Sequence, residues 1–191
     1  MDWTSSYGEI KEALPDNAPE ARGKDVDLRI YVDADHAGDR ITRRSRTGFI
    51  IFMNNAPIIW FSKKQNTVES SVFGSEFVAM KTGVETLRGI RYKLRMMGIA
   101  ISGPTYGFGD NMSVINNTSK PDSQLRKKSN SICFHAVREA VAMNEILTAH
   151  EPSVTNPADL FTKVLPGGER REAIVRRVLY DTFTVSSAPA A

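Results

Sequence analysis

Residues 28–62 decide the fold, because three short apolar runs follow one another there: LRIYVDAD at 28–35, TGFIIFM at 47–53 and APIIWFS at 56–62. Their β-branched and aromatic side chains favour strands. Asn54 and Asn55 separate the second run from the third, and asparagine tolerates the left-handed backbone of a two-residue turn. The stretch therefore predicts three antiparallel strands, the last two joined by a tight hairpin.

Helical and strand patterns follow these strands. An apolar stripe at helical spacing predicts a long helix over 69–97, and Gly98 is suited to close it. Asn156 and Pro157 are typical of a helix start. The other predictions are a strand at 104–109, a helix at 111–117, a polar loop at 117–129, a helix at 130–143, a strand at 145–150 and a basic helix at about 169–180. The order predicts an α/β protein, with a mixed five-stranded sheet and helices on both of its faces.

The composition is that of an ordinary globular protein. The 191 residues are 41% hydrophobic and 25% charged, with a formal net charge of +3, so one domain with a substantial core is expected. Cys133 is the only cysteine, which excludes an internal disulfide and fits a reducing compartment. We predict neither a membrane span nor a signal peptide, because the sequence has no apolar run near the required ~20 residues and its N-terminus has no basic and apolar leader.

Four acidic residues lie where an acid is unusual or structurally special. Asp33 follows the first strand, Glu76 interrupts the apolar stripe of the long helix, and Asp110 ends the fourth strand. Asp159 falls in the first turn of a late helix. Acids that come from separate elements to one end of a sheet can hold two divalent cations, which clamp the attacking and leaving oxygens of a phosphodiester. This arrangement indicates a nuclease.

Each acid also has a simpler interpretation. Asp33 could be a turn residue, and Glu76 could lie at the solvent edge of its helix with its carboxylate in water. Asp110 could cap the following helix, and Asp159 could interact with a helix dipole. The set is more informative than its members, since Asp110 and Asp159 both lie at strand-to-helix edges, where open α/β sheets place their sites. Gly83 lies seven residues after Glu76, two turns further along the helix. Its lack of a side chain predicts that this helix approaches the sheet closely.

Basic and polar residues group on the loops around the acids. Cation clusters on loops beside such a site fit phosphate contacts, although a solvated surface is the usual role of such charges. Three polar side chains, Asn111, Ser113 and Gln65, are candidates for contacts to RNA 2′-hydroxyls. The predicted nucleic-acid-binding cations are Arg43, Arg44, Arg46, Lys63, Lys64, Arg126, Lys127 and Lys128.

Several motifs together resemble the ribonuclease H domain of copia-type LTR retrotransposon Pol polyproteins. The resemblance covers residues 28–165 in order. Family members usually have a second glutamate two residues before the helix acid, where this chain has Gly74. The motifs that carry it are YVDADHAGD at 31–39, RSRTGF at 44–49, IWFSKKQ at 59–65, SS at 70–71, SEFVA at 75–79, GDNMS at 109–113, HAVRE at 135–139 and ADLFTK at 158–163.

The resemblance implies a ribonuclease H-like fold and hydrolysis of the RNA strand of RNA–DNA hybrids. It places the four metal-binding, catalytic acids at Asp33, Glu76, Asp110 and Asp159. Two Mg²⁺ or Mn²⁺ ions would share Asp33, and the absence of Cys/His clusters favours these ions over zinc. The implied partners are the hybrid and the reverse transcriptase domain of the same polyprotein, with no membrane. The implied place of action is a cytoplasmic retroelement particle or the nucleus.

The resemblance also predicts the division of the chain. Residues 1–26 resemble the connection after a polymerase region, 27–165 form the ribonuclease H-like domain, 166–182 a basic terminal helix and 183–191 a disordered tail. His150 stands where cellular ribonucleases H have a mobile histidine for proton transfer or product release. A solvated histidine at a strand end is the other interpretation, and for His135 a core or interhelix role is favoured.

Two other functions stay open. The domain could be a catalytically silent remnant that binds nucleic acid without cutting it, although the presence of all four acids argues against this. It could also be another two-metal enzyme of the same fold, such as an integrase core or a 3′–5′ exonuclease. Integrases use three acids and usually a zinc-binding module, which this chain lacks.

Overall fold

A five-stranded mixed sheet forms the centre of the structure, a computed structural model that describes residues 2–179. The predicted α/β class and the mixed five-stranded sheet, with three antiparallel strands first in the chain, are confirmed. The elements in chain order are α1 (Thr4–Tyr7), β1 (Arg22–Val26), β2 (Leu28–Asp35), β3 (Arg46–Met53), β4 (Ala56–Lys64), α2 (Val72–Met96), β5 (Ile99–Ile101), β6 (Thr105–Gly109), α3 (Met112–Ser119), a 3₁₀ turn (Lys128–Asn130), α4 (Ser131–Ala142), β7 (Ile146–His150), α5 (Asp159–Thr162) and α6 (Glu169–Val178).

The strands of the central sheet are ordered β4-β3-β2-β6-β7. The pairs β2–β3 and β3–β4 are antiparallel, whereas β6 pairs in parallel with both β2 and β7. Asn54 has a φ of 55° in the two-residue turn between β3 and β4, as the asparagine pair predicts. The strand β2 is therefore central, and its carboxyl end points in the same direction as those of β6 and β7.

One face of the sheet packs against α2, α3 and α4. The predicted stripe of α2 is buried at Phe77, Met80, Val84 and Leu87. A Cβ atom at Gly83 would lie 2.8 Å from Ile30 Cδ1, so the glycine lets α2 approach β2 closely. Gly98 follows the helix with a φ of 70°, as expected of a residue that closes a helix.

The opposite face is covered by α5 and α6. Tyr31, Ile50 and Phe52 form a small apolar cluster there with Ala158. The ring of Tyr31 stacks on Phe108 with 4.8 Å between the ring centroids. Because side chains alternate along a strand, Asp33 points to the same face as Tyr31, toward α5.

A second, two-stranded sheet was not predicted. Strand β1, inside the predicted connecting segment 1–26, pairs in parallel with β5. Most of β1 is exposed and β5 has only three residues, so neither carries the apolar alternation by which a strand is predicted. The segment is also anchored upstream, since Trp3 is only 8% exposed and lies 4.7 Å from the guanidinium of Arg138. The boundary at residue 26 stays a prediction.

Some helix limits differ from the predicted ones. Helix α3 extends to Ser119, two residues into the predicted loop, and α5 begins at Asp159 rather than at Pro157. The second difference arises because Asn156 Oδ1 accepts the backbone N–H of Ala158 at 3.0 Å, which makes a separate turn before the helix. Helix α6 is described to Val178, and the predicted tail 183–191 lies outside the described residues. Within residues 2–179, no helix combines the length and apolarity that a bilayer span requires.

Candidate active site

The parallel pairing of β2 and β6 brings two of the four acids side by side. Val32 is the register partner of Gly109, and each is followed by an aspartate, Asp33 and Asp110. Asp33 is fully buried and Asp110 is partly exposed. Asn111, rather than Asp110, caps α3, because its side chain accepts the backbone N–H groups of Ser113 and Val114. The Asp110 carboxylate therefore remains available to the site.

Glu76 joins these aspartates from α2. It is 7% exposed, so the interpretation as a solvent-edge residue does not hold. One carboxylate oxygen from each of Asp33, Glu76 and Asp110 lies within 4.8 Å of the others. We call these three residues the acid triad.

Burial and the repulsion of neighbouring carboxylates disfavour the charged forms of Glu76 and Asp33. Burial raises the pKa of Glu76 well above its ordinary value, and the negative charges of Asp33 and Asp110 raise it further. Burial also raises the pKa of Asp33, and the hydrogen bond from Thr162 and the charge of Lys163 only partly oppose this effect. A cation among these oxygens would remove the repulsion, since an opposite charge favours the ionised form of a carboxyl group.

The fourth acid, Asp159, does not join the triad. Its side chain is fully buried, and it accepts a 3.0 Å hydrogen bond from Lys163 Nζ and a second one from Arg170. Lys163 Nζ also lies 3.2 Å from Asp33 Oδ2, so one ammonium connects Asp159 to the triad. Asp159 therefore does more than interact with a helix dipole, because it forms a buried ion pair beside Asp33.

Two residues outside the predicted site set bring α5 to this position. Asn156 is buried and donates from Nδ2 to the Val32 carbonyl at 3.0 Å, which ties the start of α5 to the end of β2. Gly48, the register partner of Asp33, leaves space for α5, since a Cβ atom there would lie 2.6 Å from Thr162 Cγ2. The sequence marks Asn156 only as the residue before a helix start, and its bond to Val32 is not visible there. The role of Gly48 depends on which helix crosses its strand.

His150 lies next to Asp110. Its exposed ring is within hydrogen-bond distance of the Asp110 backbone carbonyl, 3.2 Å from Nε2 to the oxygen. Ser153 Oγ donates to Asp110 Oδ2 at 2.7 Å. His135 is instead bonded through Nδ1 to the Tyr7 hydroxyl at 2.8 Å, in agreement with the predicted interhelix role.

The predicted nucleic-acid-binding residues are mostly exposed, but they do not form one patch. Lys63 and Lys64 line a groove of about 410 Å³ that also includes Gln65 and Ser129. Gln65 is buried and donates to Thr47 Oγ1 and to the Ser75 carbonyl. The exposed residues among those predicted are Arg43, Arg44, Lys63, Lys64, Ser113, Arg126, Lys127 and Lys128.

Two of the predicted cations have partners within the domain. Arg46 is partly buried and donates to Ser62 Oγ at 3.2 Å. Lys64 forms an ion pair with Asp39. These contacts reduce the freedom of both cations to reach a phosphate, whereas the exposed loop residues that follow Leu125 are less constrained.

No family model matches the chain, but individual proteins do. It is 32% identical over 145 residues to the retrovirus-related Pol polyprotein from transposon TNT 1-94 of Nicotiana tabacum, and 30% identical over 144 residues to that from transposon RE2 of Arabidopsis thaliana. Each match covers 75% of this chain but only 11% and 10% of the polyproteins, so the chain spans about a tenth of their length.

The fold is similar to that of solved ribonucleases H. LC11-RNase H1, whose structure is a complex with an RNA/DNA hybrid, superposes with a TM-score of 0.55 at 15% identity, over 78% of this chain and 97% of the other. The fold thus defines the class of protein as ribonuclease H-like. Together with the sequence relatives, it identifies the chain as matching the ribonuclease H domain of a retrotransposon Pol polyprotein.

Proposed function

We propose that the chain is a metal-dependent ribonuclease H that hydrolyses the RNA strand of RNA–DNA hybrids during reverse transcription of a copia-type retrotransposon. The observation that carries the proposal is the convergence of Asp33, Glu76 and Asp110 within 4.8 Å, at the carboxyl ends of the central strands. Carboxylates of like charge this close together need a cation or a proton to offset their repulsion.

The donor set of the site fits Mg²⁺ or Mn²⁺. The acid triad offers only carboxylate oxygens, the ligands that these hard cations prefer. Asp159 is the fourth candidate ligand, once one of its oxygens is released from Lys163 or Arg170. Asp33 is common to both parts of the site, since it belongs to the triad and shares an ammonium with Asp159.

Two such ions, when bound, supply an activated water and neutralise the leaving oxygen of the phosphodiester. The residues of the chain fix where this chemistry takes place. The β2–β6 register holds Asp33 beside Asp110, and α2 directs Glu76 against both. Exposed His150 lies within hydrogen-bond distance of the Asp110 backbone carbonyl, and we assign its ring the uptake or delivery of a proton as the product leaves.

The exposed cations provide the means to hold a substrate. Phosphate contacts from lysine and arginine supply most of the affinity for a nucleic acid, independently of its sequence. Lys63 and Lys64 line the groove, and Lys128 begins the 3₁₀ turn that contributes Ser129 to it. The hybrid bound by LC11-RNase H1, a protein of the same fold, supports an RNA–DNA hybrid as the substrate class.

The relatives suggest the setting in which this reaction takes place. A Pol polyprotein places the domain in the same chain as a reverse transcriptase, which makes the hybrid that a ribonuclease H consumes. We assign residues 1–26 to the connection with that region and residues 27–165 to the nuclease domain. Action in a cytoplasmic retroelement particle or in the nucleus belongs to the same proposal.

Cleavage of a labelled RNA–DNA hybrid tests the proposal. The chain is incubated with hybrid, duplex DNA or duplex RNA, each with Mg²⁺, with Mn²⁺ and with a chelator. We expect cutting of the RNA strand of the hybrid only, and only with metal. Tight binding of the hybrid without cleavage in either metal would instead make the chain a silent nucleic-acid-binding remnant. Equal cleavage of duplex DNA would retain the metal chemistry but contradict the ribonuclease H assignment.

A further inference from the structure

A single ammonium lies between the two most buried acids of the site. Lys163 Nζ is 3.3 Å and 3.2 Å from the two oxygens of Asp33, and 3.0 Å from Asp159 Oδ1. The side chains of Asp33 and Asp159 are 1% and 0% exposed. Lys163 is therefore the counter-ion that these two carboxylates share.

Other side chains of this region also donate to the oxygens of the two aspartates. Thr162 Oγ1 donates to Asp33 Oδ2, and Arg170 donates to Asp159 Oδ2 from α6. Every carboxylate oxygen of the pair thus has a donor within the chain. A divalent cation bound by both aspartates would have to take an oxygen of Asp33 from Lys163, and an oxygen of Asp159 from Lys163 or from Arg170.

Lys163 differs from the aspartates in its freedom to move. Its side chain is 37% exposed, and it stands directly after the single turn of α5. The carboxylates are fixed on a central strand and on the buried start of α5. A lysine side chain with a flexible stem and a solvated side can leave such a pair without a change in the backbone.

We propose that Lys163 is a built-in competitor of the divalent cation: its ammonium occupies the place between Asp33 and Asp159 and must leave before a metal ion binds both. This inference rests on the proposed function. It accounts for the position of Asp159, whose carboxylate binds the ammonium beside Asp33 and does not join the acid triad. Together with Arg170, the ammonium offsets the negative charges of two buried acids in the metal-free domain.

The departing group leaves as a cation. Lysine is positively charged at neutral pH without any partner, and the two carboxylates that contact Lys163 Nζ favour this charged form. Lys163 is therefore a cation at neutral pH. Metal and ammonium exclude one another by charge as well as by space, since like charges a few ångströms apart repel strongly in a poorly hydrated site.

A metal titration of the 191-residue chain tests the competition directly. Thermal unfolding is followed against Mn²⁺ and Mg²⁺ concentration for the wild type, Lys163→Gln and Lys81→Gln. Lys81 is the matched control, because it also forms an i,i+4 ion pair, 2.8 Å from Glu85, but away from the acids. We expect the metal concentration at half effect to fall about tenfold in Lys163→Gln, which is ~1.4 kcal/mol, and to stay unchanged in Lys81→Gln.

Two more variants keep the test decisive. Lys163→Met has a side chain of similar length without charge, and it replaces the glutamine variant if that variant does not fold. Lys163→Arg keeps the charge, so its half-effect concentration should equal or exceed that of the wild type. Unchanged or weaker metal binding in the uncharged variants, or tighter binding in the arginine variant, would overturn the competition. A wild type that does not respond to metal at all would instead overturn the proposed function.

Discussion

Helix α2 carries two clusters of buried charge, one near each end, and they are built in opposite ways. Near its start, Glu76 meets Asp33 and Asp110, which have the same sign of charge. Near its end, Arg91 is only 1% exposed and donates to both carboxylate oxygens of Glu12, at 3.1 and 3.0 Å. The first cluster lacks counter-charge inside the triad, whereas the second is neutralised within the chain.

The second cluster is also complete in its hydrogen bonds. Arg91 Nη1 donates to the Gly103 carbonyl and to Thr105 Oγ1, and Arg95 adds a 2.8 Å contact to Glu12. Burial alone raises the pKa of Glu12, but the hydrogen bonds from the two arginines outweigh it and leave the pKa below its ordinary value. A buried charge with all of its partners holds a structure together. A cluster of carboxylates such as the triad is instead a candidate binding site for an external cation.

The largest expected effect is the loss of hybrid cleavage when one carboxylate of the acid triad is removed. Asp33→Asn should lower hybrid cleavage by at least about 10³-fold, since bound metal contributes several kcal/mol to the transition state. Hybrid binding should remain, because exposed cations make the phosphate contacts. Cleavage of labelled hybrid and a gel shift measure the two properties, with Asp35→Asn on the same strand as the control. Cleavage at the wild-type rate by Asp33→Asn would remove the triad from the mechanism.

The next largest effect is expected from loss of Arg91 in the paired cluster. Arg91→Met should lower the free energy of unfolding by about 3 kcal/mol, the usual cost of removing one partner of a buried ion pair. Cleavage per folded molecule should stay the same, as this cluster has no part in the chemistry. Urea unfolding measures the change. Arg176→Met is the control, since its pair with Glu172 is 83% and 68% exposed and should contribute less than about 0.5 kcal/mol. If Arg91→Met and Arg176→Met lowered the free energy of unfolding equally, the buried cluster would not stabilise the fold more than an exposed ion pair.

A smaller effect concerns the exposed charges. Joint replacement of Arg126, Lys127 and Lys128 by glutamine should weaken hybrid binding about tenfold at moderate salt and flatten its salt dependence. The free energy of unfolding should not change. Gel shifts at several salt concentrations measure the effect, with a triple glutamine variant of the exposed residues Lys11, Arg22 and Lys24 as a charge-matched control. If the control loses as much affinity, only net charge matters and the loop has no special role.

The smallest expected effect is a difference between the two clusters in how their stability depends on pH. Glu76 has a raised pKa in the folded state. Its contribution to the stability of the metal-free wild type is therefore fully present below the ordinary value of 4.5 and is lost as pH rises through the folded pKa. Relative to Glu76→Gln, the wild type should become less stable as pH rises above 4.5. Glu12 has a lowered pKa, so its contribution is present above 4.5 and is lost as pH falls through the folded pKa.

Urea unfolding between acid and neutral pH measures both differences. The advantage of the wild type over Glu12→Gln should disappear at low pH, whereas its disadvantage against Glu76→Gln should disappear there. Added Mg²⁺ should reduce the Glu76 difference at neutral pH and leave the Glu12 difference as it is. If the stability difference from the wild type changed with pH in the same direction for Glu76→Gln and Glu12→Gln, the proposed contrast between the two clusters would be wrong.

Much of this structure could be predicted because its local patterns agree with the fold. The β-branched and aromatic runs at 28–35 and 47–53, the Asn54 turn and the stripe of α2 each depend on neighbours in the chain. Their limits shift by only a few residues between prediction and structure. The strand pair β1–β5 could not be found in this way, since its short, largely exposed strands are stabilised by partners more than 70 positions apart.

The sequence by itself determined which four acids are unusual, because an acid after an apolar strand or within an apolar helical stripe conflicts with its surroundings. Only the tertiary structure decided how they group. The register of β2 with β6 unites Asp33 and Asp110, whereas Asp159 forms ion pairs with Lys163 and Arg170. The i,i+4 spacing of Asp159 and Lys163 was visible, but the second carboxylate on that ammonium comes from Asp33, 130 positions away. Such a contact depends on how α5 crosses the sheet at Gly48, and local propensity carries no information about that crossing.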